Sequence, residues 1–208
     1  MKRSFWLLIT LWPLVGLADE ADLAELLGRI RHNGSAEFNY QETRKLELAV
    51  NPWHGQGMML SGADGSLIKL QLQPKRVIMV STPQRLYYWD PQQKQRHSAA
   101  VGQAGAAGAQ IGLFRSVLQG HAADLQASYD FVPQLHDKTW RLWIAPKPGL
   151  NSEDAPTIEI SGDENADKRQ VIISQPDGEA TEYQMLKVAE GPEVDKSIRQ
   201  LLLEALGD

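Results

Sequence analysis

The sequence predicts a mainly β domain of the α+β class: one antiparallel sheet that curls on itself and is covered by short helices. Three observations support this. Apolar and polar residues alternate in short runs that recur at about ten-residue spacing, with Gly, Pro, Asn and Asp turn chemistry between them. Three further stretches place apolar residues at helical spacing, two of them at i, i+3, i+4 and i+7, the pattern of a helix with one buried stripe. No internal repeat or linker divides the chain, and 208 residues with 42% hydrophobic, 23% charged, 17 Gly and 11 Pro have the composition of one globular domain.

The chain opens on Lys2 and Arg3, followed by a mostly apolar run over residues 5–17 and by the small residues Gly16 and Ala18. A basic head, an apolar middle and small residues at −3 and −1 predict a secretory signal cleaved after Ala18. The run, broken by Pro13 and Gly16, is shorter than the ~20 residues a membrane-spanning helix needs. Residues 1–18 are therefore expected to be a cleavable signal peptide and 19–208 a single periplasmic domain, with no cysteine after the apolar run to take a lipid anchor.

The first expected helix covers 19–31, with Leu23, Leu26, Leu27 and Ile30 on one face and Asp19, Glu20 and Asp22 where the helix dipole favours anions. After Asn33-Gly34 the period becomes two. Phe38 and Tyr40 alternate with Glu37, Asn39 and Gln41, then Leu46 and Leu48 with Lys45 and Glu47, as one long strand or two joined by a bulge. Strands at 57–61 and around Ile68, Leu70 and Leu72 flank the turn Gly62-Ala63-Asp64-Gly65, and strands at 77–80 and 86–89 flank Ser81-Thr82-Pro83-Gln84. Residues 102–108 are only Gly, Ala and one Gln, and read as a mobile loop, either the hinge of a helix at 111–119 or a passive surface loop. That helix is striped by Ile111, Phe114, Val117 and Leu118 and ends at Gly120. Strands at 127–132, 140–144, 157–160, 170–173 and 179–188 precede a closing helix at 193–206, striped by Ile198, Leu201, Leu202 and Ala205.

Composition also excludes. With 21 Lys+Arg against 26 Asp+Glu, a net charge of −5 and no run of five like charges, nucleic acid is not an expected partner. The absence of cysteine removes thiol catalysis, disulfides and Cys-based zinc sites. His32, His54, His97, His121 and His136 lack the i, i+4 pairing of a metal site. Asp163, Asn165 and Asp167 resemble the start of a calcium loop, but Lys168 stands at position six and Ser174 at position twelve, so a plain turn is expected. There is no Gly-x-Ser-x-Gly elbow and no Gly-rich phosphate loop. No metal, no cofactor and no enzymatic activity are expected.

The alternating residues are read as one apolar sheet face: Phe38, Tyr40, Ile68, Leu70, Leu72, Ile78, Val80, Tyr88, Leu142, Ile144, Ile158 and Ile160, covered by Phe114, Val117 and Leu118. Such a face is either plain core or, where helices leave the hollow partly unfilled, the lining of an acyl-chain cavity. Periodicity does not choose between them.

The residues also carry a family resemblance. Gly55-Gln56-Gly57 opening a strand, Ile68-Lys69-Leu70, Val77-Ile78-Met79-Val80-Ser81 and Leu86-Tyr87-Tyr88-Trp89-Asp90-Pro91 stand in an order that resembles the LolA family of periplasmic lipoprotein carriers. Phe38-Asn39-Tyr40-Gln41-Glu42, Ile144-Ala145-Pro146-Lys147 and Tyr183-Gln184-Met185 extend the likeness over roughly residues 23–186. The resemblance implies an unclosed half-barrel lidded by helices, and a hydrophobic cavity for the acyl chains of lipoproteins or another lipid. It also implies an inner-membrane ABC transporter as donor, an outer-membrane acceptor, and action as a monomer. A sensor of acylated lipids in the envelope is the alternative role. Members of the family carry an arginine at the end of the second strand that reaches the lid helices. Nothing between Leu60 and Ile68 is basic here, and Arg44 is either its substitute or an exposed strand arginine.

Overall fold

The computed structural model describes residues 17–31, 34–103, 105–119, 125–149 and 155–207. The expected signal peptide and cleavage point lie outside the described residues or at their edge, as do His32 and His121. The amphipathic first helix is α1 (Leu17–Ile30). Then come β1 (Ala36–Lys45), β2 (Trp53–Ser61), β3 (Leu67–Gln73), β4 (Val77–Ser81), β5 (Arg85–Asp90) and β6 (Gln95–Ala100). A 3-10 turn at Val101–Gln103 leads into α2 (Gly105–Leu118). β7 (Tyr129–His136), β8 (Thr139–Pro146), β9 (Thr157–Asp163), β10 (Lys168–Ser174) and β11 (Ala180–Glu190) complete the sheet, and α3 (Pro192–Leu206) closes the chain.

The strands form a single antiparallel sheet in the order β6-β5-β4-β3-β2-β1-β11-β10-β9-β8-β7. It consists of two meanders, β1–β6 and β7–β11, joined only where β1 pairs with β11, from Ala36 opposite Glu190 to Lys45 opposite Ala180. β6 and β7, consecutive in sequence, are therefore the two edges, and the sheet is an unclosed half-barrel. The connection between those edges carries α2 across one face, here the inner face.

Period two separates two cores. Phe38, Tyr40, Met59, Leu142, Ile144, Ile158, Ile160 and Val171 face inward and pack with Leu23, Leu26 and Ile30 of α1 and Leu113, Val117 and Leu118 of α2. Leu60, Ile68, Leu70, Ile78 and Val80 face outward beneath Val194, Ile198 and Ala205 of α3. α3 starts as its residues dictate: Pro192 occupies the first turn, where its missing N–H costs nothing, with Glu193 and Asp195 at the positive end of the dipole. It ends at Gly207, left-handed with φ 91, whose N–H donates to the Leu203 carbonyl at 2.9 Å.

The structure corrects three expectations. β1 stops at Lys45, and Leu46 and Leu48 fall in a turn where Leu48 is 95% exposed: alternation continues in the sequence after the pairing partners on β2 and β11 have run out. The described residues of 102–108 are not a loop, since the 3-10 turn takes 101–103 and α2 begins at Gly105. Alanine is the strongest helix former, and it outweighs the interspersed glycines. β6 is an additional strand, absent from the sequence reading because its mostly exposed edge residues show no alternation.

Candidate functional site

The inner face is not uniformly filled. Over β7–β11 and β1 it packs against α1 and α2. Over β3–β6 a cleft of about 480 Å³ remains, walled by Met59, Leu67, Met79, Leu86, Tyr88 and Ala99 and bounded by Ile111 of α2 and Ile173 of β10. Its residues share the inner face by register: Met59 opposes Lys69, Lys69 opposes Met79, Met79 opposes Tyr88 and Tyr88 opposes His97.

Arg44, Lys69 and Tyr183 also line the cleft and converge on Glu42, whose side chain is 0% exposed. Glu42 Oε1 accepts from Arg44 Nε at 2.6 Å and from the Tyr183 hydroxyl at 3.0 Å, and Oε2 accepts from Lys69 Nζ at 2.5 Å. A buried carboxylate is tolerable because its lone pairs are taken by charged or hydroxyl donors. The Lys69 ammonium also lies 5.1 Å from the Tyr183 ring and 5.4 Å from the Tyr40 ring, within cation–π range. Burial pulls the Lys69 ammonium below its ordinary pKa, with Glu42 opposing, and burial beside Glu42 pushes both tyrosine hydroxyls up. The Tyr40 hydroxyl is buried with no hydrogen-bond partner among the described residues.

The lid helix is tied to the sheet by polar contacts. Arg115 of α2 donates to the Thr82 carbonyl at 2.6 Å, in the β4–β5 turn, and Gln119 Nε2 lies 3.4 Å from the Ser66 carbonyl. Arg44 makes no hydrogen bond or ion pair to a helix among the described residues. It pairs with Glu42 and lies over Trp53 at 4.6 Å, so the sheet-to-lid tie comes from the helix side. At the end of α1, the guanidinium of Arg169 donates to the carbonyls of Ile30 at 2.9 Å and Ala166 at 2.8 Å, a cation at a helix C-terminus. Burial lowers its pKa to about 10.

The predicted cavity set does not share one face. Ile68, Leu70, Ile78 and Val80 face α3 on the outer side, and Leu72 is 45% exposed there. Alternation within each strand says nothing about which face it shares with the next, and the β3 and β4 alternation belongs to the outer core. Phe38, Tyr40, Val117, Leu118, Leu142, Ile144, Ile158 and Ile160 are brought together in the inner core, where they pack on one another. Of the set, Val80 and Tyr88 border the cleft, and the side chain of Phe114 lies outside those described. The Glu42 cluster is absent from the sequence reading, although Glu42 continues the Phe38, Tyr40 parity and so has to point inward. A wider depression, about 1090 Å³, is lined largely by polar outer-face side chains such as Asn39, Gln41, Gln56, Gln170 and Gln184, unsuited to an alkyl chain. The Asp163 segment is a hairpin turn: Asp163 Oδ1 accepts the Asp167 N–H at 3.0 Å.

No known protein family matches the chain, and no curated protein does either. Among solved structures it is similar to a LolA superfamily protein from Nitrosomonas europaea, at 12% identity over 84% of this chain and 95% of that one, with a TM-score of 0.43. An outer membrane lipoprotein-sorting protein domain from Vibrio parahaemolyticus is similar at 12% identity over 86% and 97%, TM-score 0.47. MucB of the Pseudomonas aeruginosa MucA/MucB complex is similar at 15% identity over 86% of this chain and 60% of that one, TM-score 0.43.

Proposed function

We propose that this chain is a non-enzymatic carrier of the cell envelope that shields acyl chains of a lipoprotein, or of another acylated lipid, in the inner-face cleft. It is exported by residues 1–18 and acts as a monomer in the periplasm, between an inner-membrane ABC transporter and an outer-membrane acceptor. The observation that carries this reading is the cleft itself: an apolar hollow left open between a curled sheet and a helix that bridges its two edges. Alkyl chains exposed to water are disfavoured by about 0.8 kcal/mol per methylene, and a hollow of this kind removes that penalty during transit. No covalent step is required. The test is to express the chain in a bacterial periplasm, extract the purified protein with organic solvent and identify the extract by mass spectrometry. Acylated species should co-purify with the native chain and be lost in Met79→Glu, which places a carboxylate on the cleft wall, while the circular dichroism spectrum is unchanged. A native chain that comes out empty and binds no added amphiphile overturns the reading.

A further inference from the structure

We propose that the cleft is built for one single-chain amphiphile with an anionic head, of the fatty-acid class, its carboxylate at Arg44 and Lys69 and its alkyl chain beneath Ile111. This rests on the carrier reading above and narrows its cargo.

Volume sets the number of chains. A methylene fills about the space of one liquid water, ~30 Å³. The cleft of about 480 Å³ therefore matches one chain of roughly sixteen carbons, and three chains on one head would need about three times that space.

Charge sets the head group. Two cations, Arg44 and Lys69, meet a single carboxylate, Glu42, leaving one positive charge in excess. No Asp or Glu side chain lines the cleft among the described residues. Glu42 is saturated by three donors. Arg44 engages it through Nε alone, so the two terminal nitrogens of its guanidinium carry no hydrogen bond among the described residues. That side chain is 37% exposed where Lys69 is 12% exposed, which puts Arg44 at the solvent end of the site and its open fork where a carboxylate enters. The far wall, Leu67, Leu86 and Ala99, is apolar and suits the alkyl chain.

The experiment titrates the full chain, stripped of lipid, with palmitate, hexadecanol, hexadecyltrimethylammonium and a triacylated lipopeptide, each below its micellar concentration. Stoichiometry is read by native mass spectrometry and affinity by displacement of a fluorescent fatty acid. One palmitate per chain is expected, bound about tenfold more tightly than hexadecanol, with the cationic amphiphile weakest. Arg44→Gln should abolish the preference for palmitate over hexadecanol. Equal binding of palmitate and hexadecanol by the native chain overturns the anionic head, and tighter binding of the lipopeptide overturns the single chain. In both of those cases the carrier reading stands. Failure of every amphiphile to bind overturns both.

Discussion

Glu42 concentrates more of the electrostatics of the inner face than any other described carboxylate, since Arg44, Lys69 and Tyr183 all donate to it. Removing one partner of such a buried cluster strands the others, so Glu42→Gln should lower the unfolding free energy by about 3 kcal/mol in urea denaturation. Tyr183→Phe, which deletes one hydroxyl and no charge, should cost about 1 kcal/mol. Another ion pair works at the surface. Arg76 forks onto Glu204 of α3 at 2.8 Å through one of its two contacts and holds the Glu204 carboxyl below the usual carboxylate range. A carboxylate whose folded-state pKa is depressed binds fewer protons folded than unfolded. Its contribution is therefore complete above the ordinary carboxylate pKa and disappears as the pH falls through the folded value. Both side chains are more than a third exposed, 36% and 38%, so the contribution is under about 1 kcal/mol. Thermal melts from pH 7 down to pH 3 should show a slightly smaller acid loss for Arg76→Gln than for the native chain; equal acid losses count against the pair.

Helices are legible by their stripes, and strands by alternation, wherever one face is dry and the other wet. α1, α3 and most strands stand within a few residues of their expected bounds for that reason. β6 is illegible because an exposed edge strand has no dry face to select apolar residues. The start of α2 escapes a reading that weighs glycine count above the helix propensity of the alanines in between. The site is the least legible part. The sequence shows which residues alternate but not whether a strand's apolar set belongs to α1 and α2 or to α3, so parity alone puts Ile68 and Ile78 on the wrong side of the sheet. The side-chain tie between α2 and the sheet likewise comes from an unexpected element, being Arg115 of α2 and not a strand residue. Arg115→Ala should cost about 1 kcal/mol of stability and speed release of a bound fluorescent amphiphile several-fold in stopped-flow measurements. An unchanged release rate would assign the contact to stability alone.

At the scale of the molecule, the sheet is a partition with a core on each side. The outer core depends on α3, which buries Val194, Ile198 and Ala205 against Ile68, Leu70, Ile78 and Val80. Deleting residues 192–208 should destabilise the protein by about 5 kcal/mol in urea, as loss of several buried aliphatic contacts requires, at about 1.5–3 kcal/mol each. A truncated chain that melts like the intact one but no longer receives cargo would instead make α3 a docking element. The seam between the two meanders has a different consequence, one of time. Every other strand pairing joins sequence neighbours, but Ala36 must find Glu190 across nearly the whole described chain. Local hairpins can form as soon as their residues are available, while loop-closure entropy delays a contact of that span. The two ribbons can therefore exist before the sheet does, each with a bare edge on β1 or β10, until β11 arrives to pair with both. For a chain made from its N-terminus, that leaves β1 exposed for most of synthesis, the interval in which strand edges are most open to mispairing and to chaperones.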